Sequence, residues 1–445
     1  MKQIIRNVLV VNDLKSVITD VLIDNHRIER VDSNIQVDGN YTEINGEGKI
    51  LIPGIIDDQV HFREPGLTHK ANIYSESRAA LAGGVTSYME MPNVNPQTTT
   101  IELLEAKNEI GRQNSAVNYS FFLGATNNNL EELKKIDTEW TCGVKIFMGS
   151  STGDMLVDDS NILNRIFKEV PSLIATHCEC ESRVKSRLEE AKTKFPNGIP
   201  ASQHPIIRDE IACYLSSSFA IDLAKKYDTR LHILHITSEK ETHLFRSDIP
   251  LNKKRITSEV CVHHLHFDSS QYDTLENQIK CNPAIKTKAD QDALWNALLN
   301  DQLDIIATDH APHTIEEKFD KDYLKCHAGL PLVQHSLQLM LQKVQEGKIS
   351  IEKMVQKMCH NPAILFNVVD RGFIQEGYFA DLVLIDPNKD YTVNKSNILY
   401  KCGWSPLENT TFQHSIDSVW VNGTKSYEKG NFLELNPMRL QFNTK

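Results

Sequence analysis

Residues 172–194 read SLIATHCECESRVKSRLEEAKTK and contain a short apolar run followed by a strongly charged segment. The run at 172–177 is typical of a buried β-strand, and the segment at 181–194 is typical of an exposed helix. A strand followed by a helix is the unit from which a parallel sheet covered by helices is built. The stretch therefore predicts an α/β fold, provided that the same unit recurs along the chain.

The unit does recur. Further apolar runs predict buried strands at 55–61, 85–91, 119–124, 143–148, 231–236, 256–262 and 304–308. Other segments predict helices at 75–82, 101–112, 209–226 and 288–299. Eight such strands predict a (β/α)8 TIM-type barrel, which needs about 250 residues. Residues 53–365 supply that length with room for loops.

The two chain ends have a different pattern. Short β-type segments separated by turn residues occupy 4–11, 17–23 and 27–31, and similar segments recur at 378–386, 418–422 and 425–428. We expect the two ends to pair with each other. Residues 1–52 and 366–445 would then form one small β domain beside the barrel domain at 53–365.

Composition excludes several classes of protein. The 445 residues include 48 Lys and Arg against 59 Asp and Glu, for a net charge of −11, and no basic run that could follow a phosphate backbone. No apolar stretch reaches the roughly 18–20 residues of a membrane span. Nine scattered cysteines favour reduced thiols, and we interpret Cys178 and Cys180 as small strand-end residues. We expect a cytoplasmic protein that binds neither nucleic acid nor membrane.

Polar residues at the ends of five predicted strands indicate where chemistry occurs: His61, Lys145, His177, His235 and Asp309. Active sites of such barrels lie at the carboxyl ends of the strands. Imidazoles and a carboxylate together suit Zn²⁺, and an open position on the metal would acidify a bound water. A lysine carrying CO₂ as a carbamate could bridge two ions. Taken singly, each histidine could be structural and Lys145 could be salt-bridged.

Seven motifs carry a resemblance to a known family: PGIIDDQVHFREPG (53–66), MPNVNP (91–96), VKIFMG (144–149), ATHCE (175–179), HILHITS (232–238), NPAIK (282–286) and IATDHAPHTIEEK (306–318). They resemble the amidohydrolase superfamily and, within it, the dihydroorotases, over nearly the whole chain. The resemblance implies a (β/α)8 barrel with a composite β-sandwich made from both chain ends.

The resemblance also implies roles for individual residues. His61 resembles the second histidine of an H-x-H metal pair, Lys145 a carboxylated bridging lysine, and His177 and His235 the ligands of a second metal. Asp309 resembles a metal-bound catalytic acid and base. The positions of Arg63, Asn93, Asn282 and His313 resemble those that hold the substrate. The residues alone leave other interpretations open: Arg63 could pair with Glu64, Asn93 could form a turn, and His313 could begin a helix.

One residue departs from the family pattern. Gln59 replaces the first histidine of H-x-H, and an amide oxygen is a weaker ligand than imidazole. The metal position beside strand one should therefore be weakened or lost. His264 and His266 could compensate, but we interpret them as loop and packing residues. We expect His232 to be structural, since it lies three positions before His235 on one strand.

The predicted function is reversible zinc-dependent interconversion of dihydroorotate and N-carbamoyl-L-aspartate, with one or two Zn²⁺ ions per chain. Allantoinase and hydantoinase are alternatives with the same metal chemistry. A third alternative is an inactive dihydroorotase-like partner of aspartate carbamoyltransferase, which Gln59 favours and the other retained site residues oppose. The expected partner is a small-molecule substrate; a homodimer and an association with aspartate carbamoyltransferase stay open.

Overall fold

The structure is a computed structural model and describes residues 2–149 and 155–444. Its strands are β1 (Lys2–Asn12), β2 (Lys15–Asp24), β3 (Arg27–Asp32), β4 (Tyr41–Asn45), β5 (Ile50–Pro53), β6 (Ile55–Val60), β7 (Val85–Glu90), β8 (Asn118–Phe121), β9 (Leu123–Gly124), β10 (Val144–Phe147), β11 (Ile174–His177), β12 (Leu231–Ile233), β13 (Ile256–Cys261), β14 (Ile305–Ala307), β15 (Leu382–Asp386), β16 (Tyr391–Thr392), β17 (Thr411–Phe412), β18 (Ser415–Val421), β19 (Thr424–Glu428) and β20 (Asn431–Phe432).

The helices alternate with the strands of the central region. They are α1 (Ile73–Ala82), α2 (Ile101–Asn114), α3 (Leu130–Leu133), α4 (Ser160–Glu169), α5 (Glu181–Lys194), α6 (His204–Ile207), α7 (Glu210–Tyr227), α8 (Glu239–Thr242), α9 (Val262–His266), α10 (Tyr272–Leu275), α11 (Lys288–Leu299), α12 (Ile315–Lys318), α13 (Ser336–Gln345), α14 (Ile351–Val355) and α15 (Asn361–Phe366). Within the described part of the chain, no helix is both long and apolar enough to cross a bilayer.

The central strands form the predicted barrel. Strands β6, β7 and β8 pair in parallel, as do β9 to β14 in chain order, and Phe122 alone separates β8 from β9. The circle closes where Val60 bridges His310 in parallel and the His61 N–H donates to the His310 carbonyl at 2.7 Å. Most barrel strands are buried along their whole length, because side chains fill the interior and helices cover the outside. The (β/α)8 prediction is confirmed.

Both chain ends contribute to one further sheet. Its order is β20-β19-β18-β15-β5-β1-β2-β3, and β4 pairs with β1. Antiparallel pairing of β15 with β5 links the two ends within this sheet, and an isolated bridge between Arg27 and Phe379 adds a second contact. The composite β domain predicted from the two ends is therefore consistent with the sheet. The exact limits, 1–52 with 366–445 and 53–365, stay predictions.

Helix α1, which follows barrel strand β6, shows how local sequence determines where a helix begins and ends. The Asn72 side chain accepts a hydrogen bond from the Ser75 N–H and the Ser75 hydroxyl approaches the Asn72 backbone, a capping box that begins α1. The helix ends before Gly83, as the Gly83-Gly84 pair predicts. A Cβ at Gly83 would lie 2.4 Å from the Gln334 carbonyl oxygen, so this position requires glycine.

A buried ion pair joins the terminal sheet to the barrel. Arg371 donates to the Asp381 carboxylate, and both side chains are at most 4% exposed. The same carboxylate accepts from the Asn118 amide on β8 at 3.1 Å and from the Asn422 N–H at 2.7 Å. Asp381, which directly precedes β15, therefore connects the barrel to Arg371 and to Asn422, which follows β18.

Replacing Asp381 with Ala should lower the free energy of unfolding by about 3–5 kcal/mol, because it leaves the Arg371 guanidinium buried and unpaired. Urea unfolding measures the loss. Asp370→Ala is the matched control: Asp370 pairs with Arg27, and both side chains are more than 40% exposed, so the loss should stay below about 1 kcal/mol. Equal losses in the two variants would contradict the assigned role of Asp381.

Candidate active site

A cavity of about 810 Å³ opens at the carboxyl ends of the barrel strands. Every site residue predicted from the sequence lines it: Gln59, His61, Arg63, Asn93, Lys145, His177, His235, Asn282, Asp309 and His313. Their placement follows from the barrel, since the carboxyl ends of parallel strands meet at one face. The structure thus brings together residues that are up to 254 positions apart in the sequence.

Strained backbone directs several of these side chains. Arg63, His235 and Asp309 have φ values of 69°, 41° and 44°, in the left-handed region that non-glycine residues seldom adopt. Such conformations cluster at functional sites. Gly66 has a φ of 80°, and a Cβ there would lie 1.8 Å from the Asn95 carbonyl oxygen. Only glycine allows the turn that carries Arg63 to pack against the loop that carries Asn93.

His177 and His235 form a pair suited to hold a metal. Nδ1 of His177 lies 2.9 Å from Nε2 of His235. Nε2 of His177 lies 2.9 Å from a Glu179 carboxylate oxygen, which favours a proton on that nitrogen and leaves Nδ1 as the ligand atom. Burial lowers the pKa of both histidines, so both are neutral and can donate lone pairs.

His61 and Asp309 form a second pair. Nε2 of His61 lies 3.1 Å from an Asp309 oxygen, and Nδ1 lies 2.8 Å from the Asn93 amide oxygen. An amide oxygen only accepts, so Nδ1 carries the proton of the neutral ring and Nε2 directs a lone pair toward a carboxylate. Burial lowers the pKa of His61, and the contact with His61 helps to lower that of Asp309 in spite of its burial. A cation between the two groups fits this arrangement.

Lys145 is a buried amine on β10. Its side chain is 1% exposed, and its ammonium lies 4.6 Å from the centre of the Phe147 ring. In residues 2–149 and 155–444 no carboxylate lies within ion-pair distance of Nζ, so the salt-bridged alternative does not apply there. Burial lowers the pKa of Lys145 to about 8. A neutral amine, which is the form that reacts with CO₂, is therefore accessible near physiological pH.

Gln59 lines the cavity from β6 and is 1% exposed. Its amide oxygen accepts from the Cys261 thiol, with a sulfur to oxygen distance of 3.7 Å. The oxygen that could replace the missing imidazole as a ligand already has a partner. This contact supports the expectation that the metal position beside His61 is the weaker one.

Two cations meet around His313, and we call Arg63, Lys70 and His313 the cationic group. Nη2 of Arg63 lies 3.2 Å from Nε2 of His313, and Lys70 lies 3.1 Å from its Nδ1. Burial lowers the pKa of Arg63 to about 10, and that of Lys70 is also lowered. Arg63 does not pair with Glu64, whose carboxylate accepts from the Ile73 N–H. Lys70 also pairs with the Glu317 carboxylate at 3.1 Å, whereas Arg63 has no ion-pair partner among the described residues, so Arg63 is the cation best placed to attract an anionic substrate group.

Sequence reasoning missed several residues of the site. Lys70 is the last residue of HFREPGLTHK (61–70), and its position near Arg63 could have indicated a role in the site. His327 stacks on His313 with ring centres 4.8 Å apart, and no local pattern marks it. Glu179 ends the ATHCE motif and holds His177. Glu90 ends β7 and pairs with Lys107 at 2.8 Å. It also accepts a hydrogen bond from the N–H of Phe62, which lies between His61 and Arg63 in the sequence.

The other histidines considered from the sequence lie outside the cavity lining. His264 is buried on α9, where its Nε2 lies 3.1 Å from the Pro283 carbonyl oxygen, and His266 ends the same helix. His232 contacts the carboxylates of Asp58 and Glu259 in the barrel interior. All nine cysteines, including Cys178 and Cys180, are free thiols.

Comparison with known proteins agrees with this architecture. Residues 50–425 match the amidohydrolase family. The dihydroorotase of Methanosphaera stadtmanae is 30% identical over 91% of this chain and 92% of its own, and the allantoinase of Streptomyces avermitilis is 27% identical over 86% of each chain. The solved structure of the L-hydantoinase (dihydropyrimidinase) from Arthrobacter aurescens is 25% identical, covers 97% of both chains and superposes with a TM-score of 0.92. The chain belongs to the amidohydrolase family.

Proposed function

We propose that this cyclic amidohydrolase is a zinc-dependent dihydroorotase that interconverts dihydroorotate and N-carbamoyl-L-aspartate. The observation that carries the proposal is the cationic group, which shares one cavity with the candidate metal ligands. Dihydroorotate carries a ring carboxylate that this group can bind, whereas hydantoin and allantoin have no carboxylate. Relatives named dihydroorotase support the same choice.

The residues fit one or two divalent metals. His177 and His235 would hold one ion, His61 and Asp309 a second, and a carboxylated Lys145 both. When bound, zinc supplies Lewis-acid activation of water and of the ring amide carbonyl. The fit rests on the neutral imidazoles, on the lone pair of His61 that faces Asp309, and on the absence of an ion-pair partner for Lys145 among the described residues.

The remaining residues bind and orient the substrate. Arg63 and Lys70 would hold its carboxylate by charge-assisted hydrogen bonds. The Asn282 amide oxygen is buried and has no hydrogen-bond partner among the described residues, so it can accept from a ring N–H. Asp309 would take a proton from the attacking water and deliver it to the departing ring nitrogen. Cyclisation of N-carbamoyl-aspartate consumes a proton, so acid favours the ring and alkali favours hydrolysis.

The test is a substrate panel on zinc-loaded protein. We expect cyclisation of N-carbamoyl-aspartate at mildly acidic pH and hydrolysis of dihydroorotate at alkaline pH, with poor turnover of hydantoin and allantoin. Fast allantoin turnover with none on dihydroorotate would favour the allantoinase alternative. A metal-loaded protein without turnover on any of these substrates would favour the scaffold role beside aspartate carbamoyltransferase, for which Gln59 is the supporting feature.

Arg63→Met should reduce kcat/KM for dihydroorotate by an amount equivalent to about 2–5 kcal/mol, because a buried charged contact to the substrate carboxylate is lost. Steady-state kinetics measure the effect. Arg112→Met is the control, since Arg112 is exposed and pairs with Glu109 outside the cavity. An unchanged kcat/KM in Arg63→Met would contradict the assigned role of Arg63.

Lys145 should be carboxylated, and in the metal-free protein the carbamate should increase as the pH rises from 6 to 9. CO₂ reacts with the neutral amine, and the pKa of about 8 makes that form scarce at pH 6 and abundant at pH 9. NMR with ¹³C-labelled bicarbonate measures the carbamate, and Lys145→Arg is the control that cannot form it. Lys145→Ala should lose activity and regain some of it with added short carboxylic acids, which can take the place of the missing carbamate. A bare amine in fully active, metal-loaded protein would refute carboxylation.

After dialysis, zinc occupancy should be higher at His177 and His235 than at His61 and Asp309, because Gln59 supplies a weak ligand already bonded to Cys261. Anomalous diffraction resolves the two positions. Gln59→His should raise occupancy beside His61 and keep turnover. Gln97→His, at another cavity-lining glutamine, should leave that occupancy unchanged. Equal occupancy of both positions in the unaltered protein would show that the argument from ligand strength is wrong.

A further inference from the structure

Three ionisable side chains meet in the barrel interior outside the residues that line the cavity. Asp58 lies on β6, His232 on β12 and Glu259 on β13, and each side chain is 0% exposed. Their potential ligand atoms all lie within 4.8 Å of one another. We call these residues the interior trio. The mechanism proposed above uses none of them.

The imidazole of His232 directs one nitrogen at both carboxylates. Its Nε2 lies 3.2 Å from an Asp58 oxygen and 3.2 Å from a Glu259 oxygen. Its Nδ1 lies 3.0 Å from the Thr257 hydroxyl, and that hydroxyl donates to the Leu231 carbonyl. Thr257 therefore accepts from Nδ1, which places the proton of the neutral ring on Nδ1 and a lone pair on Nε2.

Asp58 has the fewest contacts that could stabilise its buried charge. Both of its carboxylate oxygens are buried, and among the described residues Oδ1 has no hydrogen-bond partner, whereas Oδ2 has only Nε2 of His232 at 3.2 Å. Glu259 is better supported, because one of its oxygens also accepts from the His235 N–H at 3.1 Å. A buried carboxylate without hydrogen bonds is strongly unfavourable unless a cation neutralises it.

We propose that Asp58, His232 and Glu259 bind a divalent transition metal at a structural site separate from the catalytic cavity. Two carboxylates and a neutral imidazole carry a charge of −2, which one divalent ion neutralises. Two ligand atoms bound to tetrahedral zinc lie about 3.3 Å apart, close to the separations of Nε2 from the two carboxylates. The hydrogen bond from Nδ1 to Thr257 is the outer contact typical of a metal-ligating histidine.

An ion bound by the interior trio would connect three barrel strands to one another and to the candidate catalytic site. The ion would join β6, β12 and β13, and Glu259 would transmit its position to the backbone of His235. Because the trio has no exposed surface, we expect exchange to require opening of the barrel. A chelator should therefore remove metal from the open cavity much faster than from the trio.

A proton is the other way to hold the two carboxylates together, either as a second proton on Nε2 of His232 or on Glu259, because burial and the neighbouring Asp58 raise the pKa of Glu259. Burial by itself would lower the pKa of His232, but the two carboxylates raise it to about 9 in the absence of a metal. The experiment must therefore distinguish an ion from a proton at one position.

The test uses the full chain expressed with added zinc and then treated with EDTA. Anomalous diffraction at the zinc edge should show a peak between Asp58, His232 and Glu259, while the cavity positions are depleted. Metal analysis of the treated protein should show that Asp58→Asn has lost one ion per chain. Asp57→Asn is the matched control: Asp57 is the adjacent buried aspartate, but it bonds to Thr308 and should keep the ion.

The anomalous peak is measured on the unaltered protein, so this result does not depend on whether a variant folds. Absence of the peak would overturn the proposal, and ¹⁵N chemical shifts of His232 would then show whether its imidazole or a carboxyl group carries the proton; an unchanged metal content in folded Asp58→Asn would overturn it too. The proposal does not rest on the dihydroorotase assignment. An interior ion without dihydroorotate turnover would refute only that assignment, and turnover without an interior ion would refute only the interior site.

Discussion

The hydrogen bond from the His61 N–H to the His310 carbonyl, 2.7 Å long, joins the first barrel strand to the last. The candidate site depends on this closure. It brings His61 within 3.1 Å of Asp309, although 248 positions separate them in the chain. Asp57 reinforces the same junction, because its carboxylate accepts from the Thr308 hydroxyl at 2.6 Å. An open sheet would hold these groups at opposite edges.

The closed barrel also explains the electrostatics of the site. Its interior excludes water, so burial disfavours every charge placed there. The pKa values of Lys145 and Arg63 fall to about 8 and about 10 for this reason. The same exclusion keeps His177 and His235 neutral. Groups that are costly as isolated charges would be compensated by a bound metal or by an anionic substrate, as the proposed function requires.

Supporting contacts fix the orientation of each functional side chain. Glu179 holds His177 and Asn93 holds His61, in each case through the ring nitrogen that does not face the candidate metal position. His313 lies between Arg63 and Lys70 and keeps the two cations within one group. Chain segments far apart in sequence supply these contacts, and the left-handed backbone at Asp309 is maintained by the packing around it.

The sequence by itself determined the eight strands and which polar residues end them, because buried strands require continuous apolar runs and the carboxyl ends of barrel strands share one face. Pairing of the two chain ends also followed from their β-type pattern. Tertiary structure alone decided that Lys70 and His327 join His313, that Cys261 engages Gln59, and that Asp58 and Glu259 converge on His232. Local periodicity specifies the face on which a side chain lies, whereas contacts between strands depend on register and closure, which are properties of the assembled barrel.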